Sequence, residues 1–94
     1  MTPLQELLAA YDQVLRHMPL TFTSHTFILT LAQQHQGLYV QGLAHFSSHA
    51  DPFRRLHAFL SRHLHDRQEL HFQGTVRGLN VFGVPSRSAA WRRR

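Results

Sequence analysis

The chain has 94 residues, 43% of them apolar, and carries a net charge of +5 with ten arginines, no lysine and no cysteine. This length predicts a single domain with one modest core. The lack of cysteine excludes disulfides, thiol catalysis and cysteine-bound zinc, and no apolar run is long enough to predict a membrane span. Since the first eleven residues lack the basic start of a signal peptide, we expect a cytoplasmic protein. We expect neither a membrane partner nor a cofactor.

Capping residues mark the first two predicted helices. A helix over residues 3–17 follows Thr2, and a second over residues 24–35 follows Thr23. Both threonines are of the residue type that caps helix N-termini through a side-chain oxygen. Apolar residues at helical spacing give each helix a buried face, and Leu29 is expected to widen that face in the second.

The segment after the second helix has no clear period. Gly37 is expected to end the second helix, because glycine is common just past a helix C-terminus. Residues 38–46 then fit either a short helix broken near Gly42 or an extended connection. Residues 47–50 predict a loop.

A third clear helix is predicted over residues 52–65, capped by Asp51. At about 100° per residue its core face holds Phe53, Leu56, Phe59, Leu60 and Leu64. The opposite face has no acidic residue and consists of Arg54, Arg55, Ala58, Ser61, Arg62 and His65. Residues 51–94 as a whole hold nine arginines against three carboxylates, a net charge of +6, whereas residues 1–50 have a net charge of −1. A basic half on a neutral scaffold is typical of a polyanion binder.

The last third of the chain predicts a β-hairpin. Apolar and polar residues alternate near Leu70, residues 75–77 between two glycines predict a turn that exposes Arg77, and residues 81–84 predict a return strand. Residues 1–86 would then form the domain and residues 87–94 a basic tail. Trp91 is expected to dock on the domain, and the three terminal arginines are expected to project from it.

Three helices followed by a basic hairpin resemble winged helix-turn-helix domains, so the predicted fold is a mainly helical α+β domain of three or four helices. The resemblance spans about residues 3–84 and implies a non-enzymatic nucleic-acid-binding module, with DNA favoured over RNA. It implies that residues 52–65 form the recognition helix and that the hairpin acts as the wing. The predicted nucleic-acid-binding residues are Arg54, Arg55, Ser61, Arg62, Arg77, Arg87, Arg92, Arg93 and Arg94.

One segment departs from that pattern. A helix-turn-helix joins its two helices by a turn of about three or four residues, but residues 36–51 lie between the second helix and the basic one. Either residues 38–46 form the third helix and residues 52–65 an additional one, or the domain is a divergent variant. The sequence leaves both open.

Two other functions remain open. The basic helix could dock on an acidic partner protein, as in a small inhibitor, and a homodimer is compatible with either binding role. The nine histidines allow a ribonuclease in which His63, His65 or His71 acts beside Arg62 or Arg67. His45 and His49 have the spacing of zinc ligands on one helical face, but no full ligand set is evident.

Overall fold

A computed structural model describes all of residues 1–94 as an α+β domain. The helices are α1 (Pro3–Ala9), α2 (Tyr11–His17), α3 (Ser24–Gln34), α4 (Gln36–His45) and α5 (Pro52–His65). The strands are β1 (Thr21–Thr23), β2 (Leu70–Leu79) and β3 (Pro85–Arg93), which form one antiparallel sheet in the order β1-β3-β2. None of the helices is long and apolar enough to cross a membrane.

The predicted helix caps are confirmed. The Thr2 hydroxyl accepts from the Gln5 backbone N–H at 3.2 Å, and the Gln5 side chain accepts from the Thr2 N–H at 2.9 Å. Thr23 accepts from the Thr26 N–H at 3.2 Å. These bonds satisfy backbone donors that a helix start leaves unpaired. The predicted helix over residues 3–17 is divided at Ala10, which keeps a right-handed helical conformation between α1 and α2.

Residues 38–45 lie in a helix, and Gly37 does not end the preceding one. The backbone leaves helical geometry at His35 (φ −132°, ψ 57°), and α4 begins one residue later and includes Gly37. Gly42 does not break α4. A Cβ at that position would lie 3.0 Å from the Leu7 side chain and 3.3 Å from Leu56, so glycine allows α4 to approach both leucines closely.

Helix α5 has the predicted bounds, and its Asp51 cap accepts from the Arg54 N–H at 3.1 Å. Leu56, Leu60 and Leu64 are fully buried. Two side chains that were predicted to lie on buried helix faces are exposed. Phe53 of α5 is 40% exposed and Leu29 of α3 is 38% exposed. Each lies at the edge of its helix's apolar face, where no other element covers it completely.

The hairpin is longer than predicted and turns later. Residues 75–77 lie inside β2, and the predicted return strand over residues 81–84 forms the turn instead. The Asn80 side-chain oxygen accepts from the Phe82 and Val84 N–H groups at 2.9 and 3.0 Å, and Gly83 supplies a positive φ of 76°. Gly74, with φ 94°, lies in an irregularity of β2 between Phe72 and Thr75 rather than at a turn.

The predicted tail belongs to the domain. Residues 85–93 form β3, the central strand, which pairs with β1 and β2 on its two sides. Trp91 is 2% exposed, as its predicted docking requires, and lies opposite Phe22 on one side and Phe72 on the other. Its indole N–H donates to the buried Ser24 hydroxyl at 2.9 Å, which ties the chain's end to the start of α3.

Candidate functional site

The exposed side of α5 is basic. Arg54, Arg55 and Arg62 are exposed around the small exposed Ala58. Ser61 lies on the same side but is half-buried, and its hydroxyl donates to Ser24 at 3.0 Å. The structure therefore brings four of the predicted site residues together on one helix, with the arginines in solvent and the serine engaged in packing.

The hairpin adds two more exposed arginines, one of which lines a cleft together with α5. Arg77 of β2 lies directly opposite Arg87 of β3, and both are exposed. Directly opposed like charges destabilise an antiparallel pair. Arg87 and Arg54 line the same cleft, so the hairpin's positive charge adjoins that of the helix.

Few of the arginines are neutralised within the domain. Arg67 pairs with Asp12 and, at 3.2 Å, with Glu69. It is the only one of the ten arginines in an ion pair with a carboxylate. Charges left unpaired on one surface create a positive potential that attracts anions.

The C-terminal arginines occupy a different place. The Arg93 guanidinium donates to the Leu15 carbonyl at 3.3 Å, at the end of α2. Arg94 donates its backbone N–H to the Glu69 carbonyl at 2.9 Å, and both arginines line a depression that Asp12 and Glu69 also line. Arg92 is exposed on β3, opposite His71. Arg93 is thus a structural residue, and the carboxylates reduce the positive potential around Arg94.

A cleft of about 530 Å³ separates the α5 face from the hairpin. Its walls come from the start of α3, from α5 and from the segment between Asn80 and Ala89. Arg54, Ser61 and Arg87 from the predicted site line it. The remaining polar and aromatic groups were not predicted to belong together: Ser24, His25, Asp51, Phe53, His57, Asn80, Phe82, Ser86 and Ser88.

Two histidines face this cleft. His57 Nε2 lies 2.5 Å from the Tyr39 hydroxyl, whose pKa burial raises to about 12. Burial and the neighbouring His25 lower the pKa of His57, although Asp51 acts in the opposite direction. Burial also lowers the pKa of His25, although the nearby Arg87 backbone acts in the opposite direction. The buried His25 Nε2 has no hydrogen-bond partner. Both lowered pKa values favour neutral rings at pH 7.

The histidines that the sequence offered for catalysis or zinc lie elsewhere. His63 is 3.6 Å from Asp66, and the His65 ring packs edge-on against Trp91 with centroids 4.6 Å apart. His49 lies beyond the end of α4, so it does not share a helical face with His45. No group of three or more histidine, aspartate or glutamate side chains is placed to hold a metal ion.

Sequence reasoning missed His25 and His57 as a pair. They are 32 positions apart in the chain, and the only local signal was the place of His57 at the edge of the basic arc of α5. Comparisons with family profiles, with curated proteins and with solved structures find no significant match to this chain.

Proposed function

We propose that this chain is a winged-helix-like module that binds duplex DNA, with α5 in the major groove and the β2–β3 hairpin on the backbone. The observation that carries the proposal is a set of five exposed arginines without carboxylate partners on α5 and the hairpin: Arg54, Arg55, Arg62, Arg77 and Arg87. Arginine binds phosphate and guanine through two parallel hydrogen bonds, which suits both contacts.

The shape of α5 supports this role. Arg55 and Arg62 are seven residues, or about two turns, apart and so share a face. A helix fits the major groove, which is about 12 Å wide, and Ala58 between the arginines leaves room for close approach to base edges. Since α4 packs against α1, we assign the groove to α5, which directly precedes the hairpin.

Fluorescence anisotropy with a random duplex at several salt concentrations tests the proposal. Five neutralised phosphates predict a log–log slope of affinity against salt of about −4 to −5. We expect Arg55→Gln with Arg62→Gln to weaken binding at least tenfold and to reduce the steepness of the slope by about 2. The absence of binding at low salt would overturn the proposal.

The control removes the same charge from another surface. Arg16→Gln with Arg94→Gln lowers the net charge by two beside Asp12 and Glu69. We expect this variant to bind duplex within about twofold of the parent. An equal loss in both double variants would mean that net charge, rather than the α5 face, attracts the DNA.

The second candidate is an acidic partner protein, and the hairpin turn favours it. Leu79, Phe82 and Val84 are 63%, 58% and 54% exposed beside the arginines. Exposed apolar residues that adjoin charge are typical of protein interfaces. The duplex titration separates the two candidates. If the chain does not bind duplex DNA at low salt, the acidic partner protein is the candidate that remains. Leu79→Ser with Val84→Ser should then abolish partner binding, whereas it should leave duplex binding unchanged under the first proposal.

A further inference from the structure

We propose that the cleft between α5 and the hairpin binds one nucleotide unit, an aromatic base joined to a phosphate. The unit would come from a free nucleoside monophosphate or from an unpaired position in a nucleic-acid strand. This site goes beyond groove binding and does not depend on it, because its walls combine aromatic rings and histidines with the arginines. Its volume of about 530 Å³ lies within the range of small-ligand sites, about 300–1,000 Å³.

Aromatic rings at the cleft can stack a base. Phe53 of α5 and Phe82 of the turn are 40% and 58% exposed, and their rings meet edge to face with centroids 4.9 Å apart. The Phe82 ring also lies nearly parallel to His57, at 6.2 Å and 26°. Both phenylalanines therefore leave ring surface in solvent while their positions are set by neighbours. Rings held in this way offer stacking surface that suits any base.

Arginines from two elements of the lining can hold the phosphate. Arg54 comes from α5 and Arg87 from β3, and neither forms an ion pair with a carboxylate. Two guanidinium groups from different elements can bind the oxygens of one phosphate from two sides. Asp51 is the only carboxylate in the lining, and one of its oxygens already accepts from the Arg54 N–H. The other oxygen can accept from a base amino group or a ribose hydroxyl.

Two histidines complete the lining, His25 at the start of α3 and His57 on α5. The Tyr39 hydroxyl lies 2.5 Å from His57 Nε2 and fixes the ring against which Phe82 stacks. Stacking surface and phosphate donors thus meet in a single cleft.

The test uses adenosine 5′-monophosphate as the probe, with binding followed by calorimetry and by amide NMR shifts of the full chain. We expect Phe82→Leu, which keeps an apolar side chain but removes the stacking surface, to weaken binding at least fivefold. The matched control is Phe72→Leu, since Phe72 is similarly exposed (53%) on the same hairpin but does not line the cleft. Arg87→Gln should weaken binding at least tenfold, and Arg92→Gln on the same strand should not.

Two further probes separate the sources of the nucleotide. The first is a deoxyadenosine decamer. If the decamer binds and is weakened by Phe82→Leu and Arg87→Gln but not by the controls, while the monophosphate does not bind, the site is assigned to an unpaired nucleotide of a strand. Inorganic phosphate that matches the affinity of the monophosphate would overturn the stacking role. Failure of both nucleotide probes, or equal losses in Phe82→Leu and Phe72→Leu, would overturn the proposal.

Neither result depends on duplex binding, which is tested through Arg55 and Arg62 outside this cleft. If Phe82→Leu lowers the melting temperature, the comparison of Arg87→Gln with Arg92→Gln decides the outcome, because both residues are exposed.

Discussion

The two glycines of α4 differ in what surrounds them. A Cβ at Gly42 would meet Leu7 and Leu56, which are both fully buried, whereas a Cβ at Gly37 meets nothing within 4 Å. We expect Gly42→Val to lower the free energy of unfolding by about 1–3 kcal/mol through overpacking. Gly37→Val should change it by less than about 0.5 kcal/mol, because valine has better helix propensity than glycine and space is available. Thermal or urea denaturation measures both, and equal losses would contradict the close approach of α4 to the core.

The Ser24 hydroxyl connects three elements. It accepts from the Trp91 indole N–H at 2.9 Å and from the Ser61 hydroxyl at 3.0 Å. Ser24→Ala leaves a buried indole N–H without a partner, so we expect a loss of about 1–3 kcal/mol in the free energy of unfolding.

Ser61→Ala keeps the Trp91 bond and should cost less than about 1 kcal/mol. Urea denaturation followed by Trp91 fluorescence compares the two variants. A larger loss of unfolding free energy in Ser61→Ala than in Ser24→Ala would contradict the stabilising role assigned to the Trp91–Ser24 hydrogen bond.

At the level of the elements, three helix starts and the presence of a C-terminal hairpin could be predicted, but the position of the hairpin turn and the helix over Gln36–His45 could not. Helix starts have local signals, because a capping side chain bonds to backbone only three residues ahead, and Thr2, Thr23 and Asp51 all act in that way. The hairpin turn depends on the Asn80 side chain, which accepts two backbone hydrogen bonds within the loop. The apolar residues at 81–84 had instead predicted a strand there. Gly74 suggested a turn but serves an irregularity within β2.

The opposed arginines of the hairpin are expected to lower stability while they contribute to duplex binding. Arg77→Thr removes a like-charge repulsion with Arg87 and places a good strand former in β2. We expect the free energy of unfolding to rise by about 0.2–1 kcal/mol while duplex affinity falls. Arg92→Thr, where no arginine lies opposite, should give no such rise. A destabilised Arg77→Thr variant would show that Arg77 makes favourable contacts in the free protein.

Across the whole molecule, the sequence predicted which half of the chain carries the positive charge. It predicted only in part which arginines lie together in the fold. The sequence showed that residues 51–94 carry the positive charge, and helical spacing placed Arg54, Arg55 and Arg62 on one face of α5. Spacing could not show that β3 carries Arg93 back to the end of α2, since pairing between distant strands depends on the whole chain. For the same reason the cleft that joins His25, His57 and Arg87 was visible only after folding.

The cleft histidines make stability depend on pH. The ordinary pKa is 6.5, and the fold lowers it for both His25 and His57 chiefly by burial. Because the unfolded chain takes up protons more readily, stability is fully present above pH 6.5 and is lost as pH falls through the lowered values. We expect the melting temperature to fall between pH 6.5 and 5, and His25→Gln to flatten that fall. The same fall in the parent and in His25→Gln would contradict this assignment.

Acidification should move anion binding in the opposite direction. Protonated His25 and His57 would add positive charge to the cleft that Arg54 and Arg87 line, and a bound phosphate would favour those protonated forms. The phosphate of adenosine 5′-monophosphate itself takes up a proton at about pH 6, so the test compares the parent with a His25→Gln, His57→Gln variant. Between pH 7.5 and 5.5 we expect the parent to gain affinity relative to that variant, although the free protein is less stable at the lower pH. Calorimetry in two buffers with different ionisation enthalpies measures the protons taken up on binding, and an equal uptake by parent and variant would show that the phosphate binds away from these histidines.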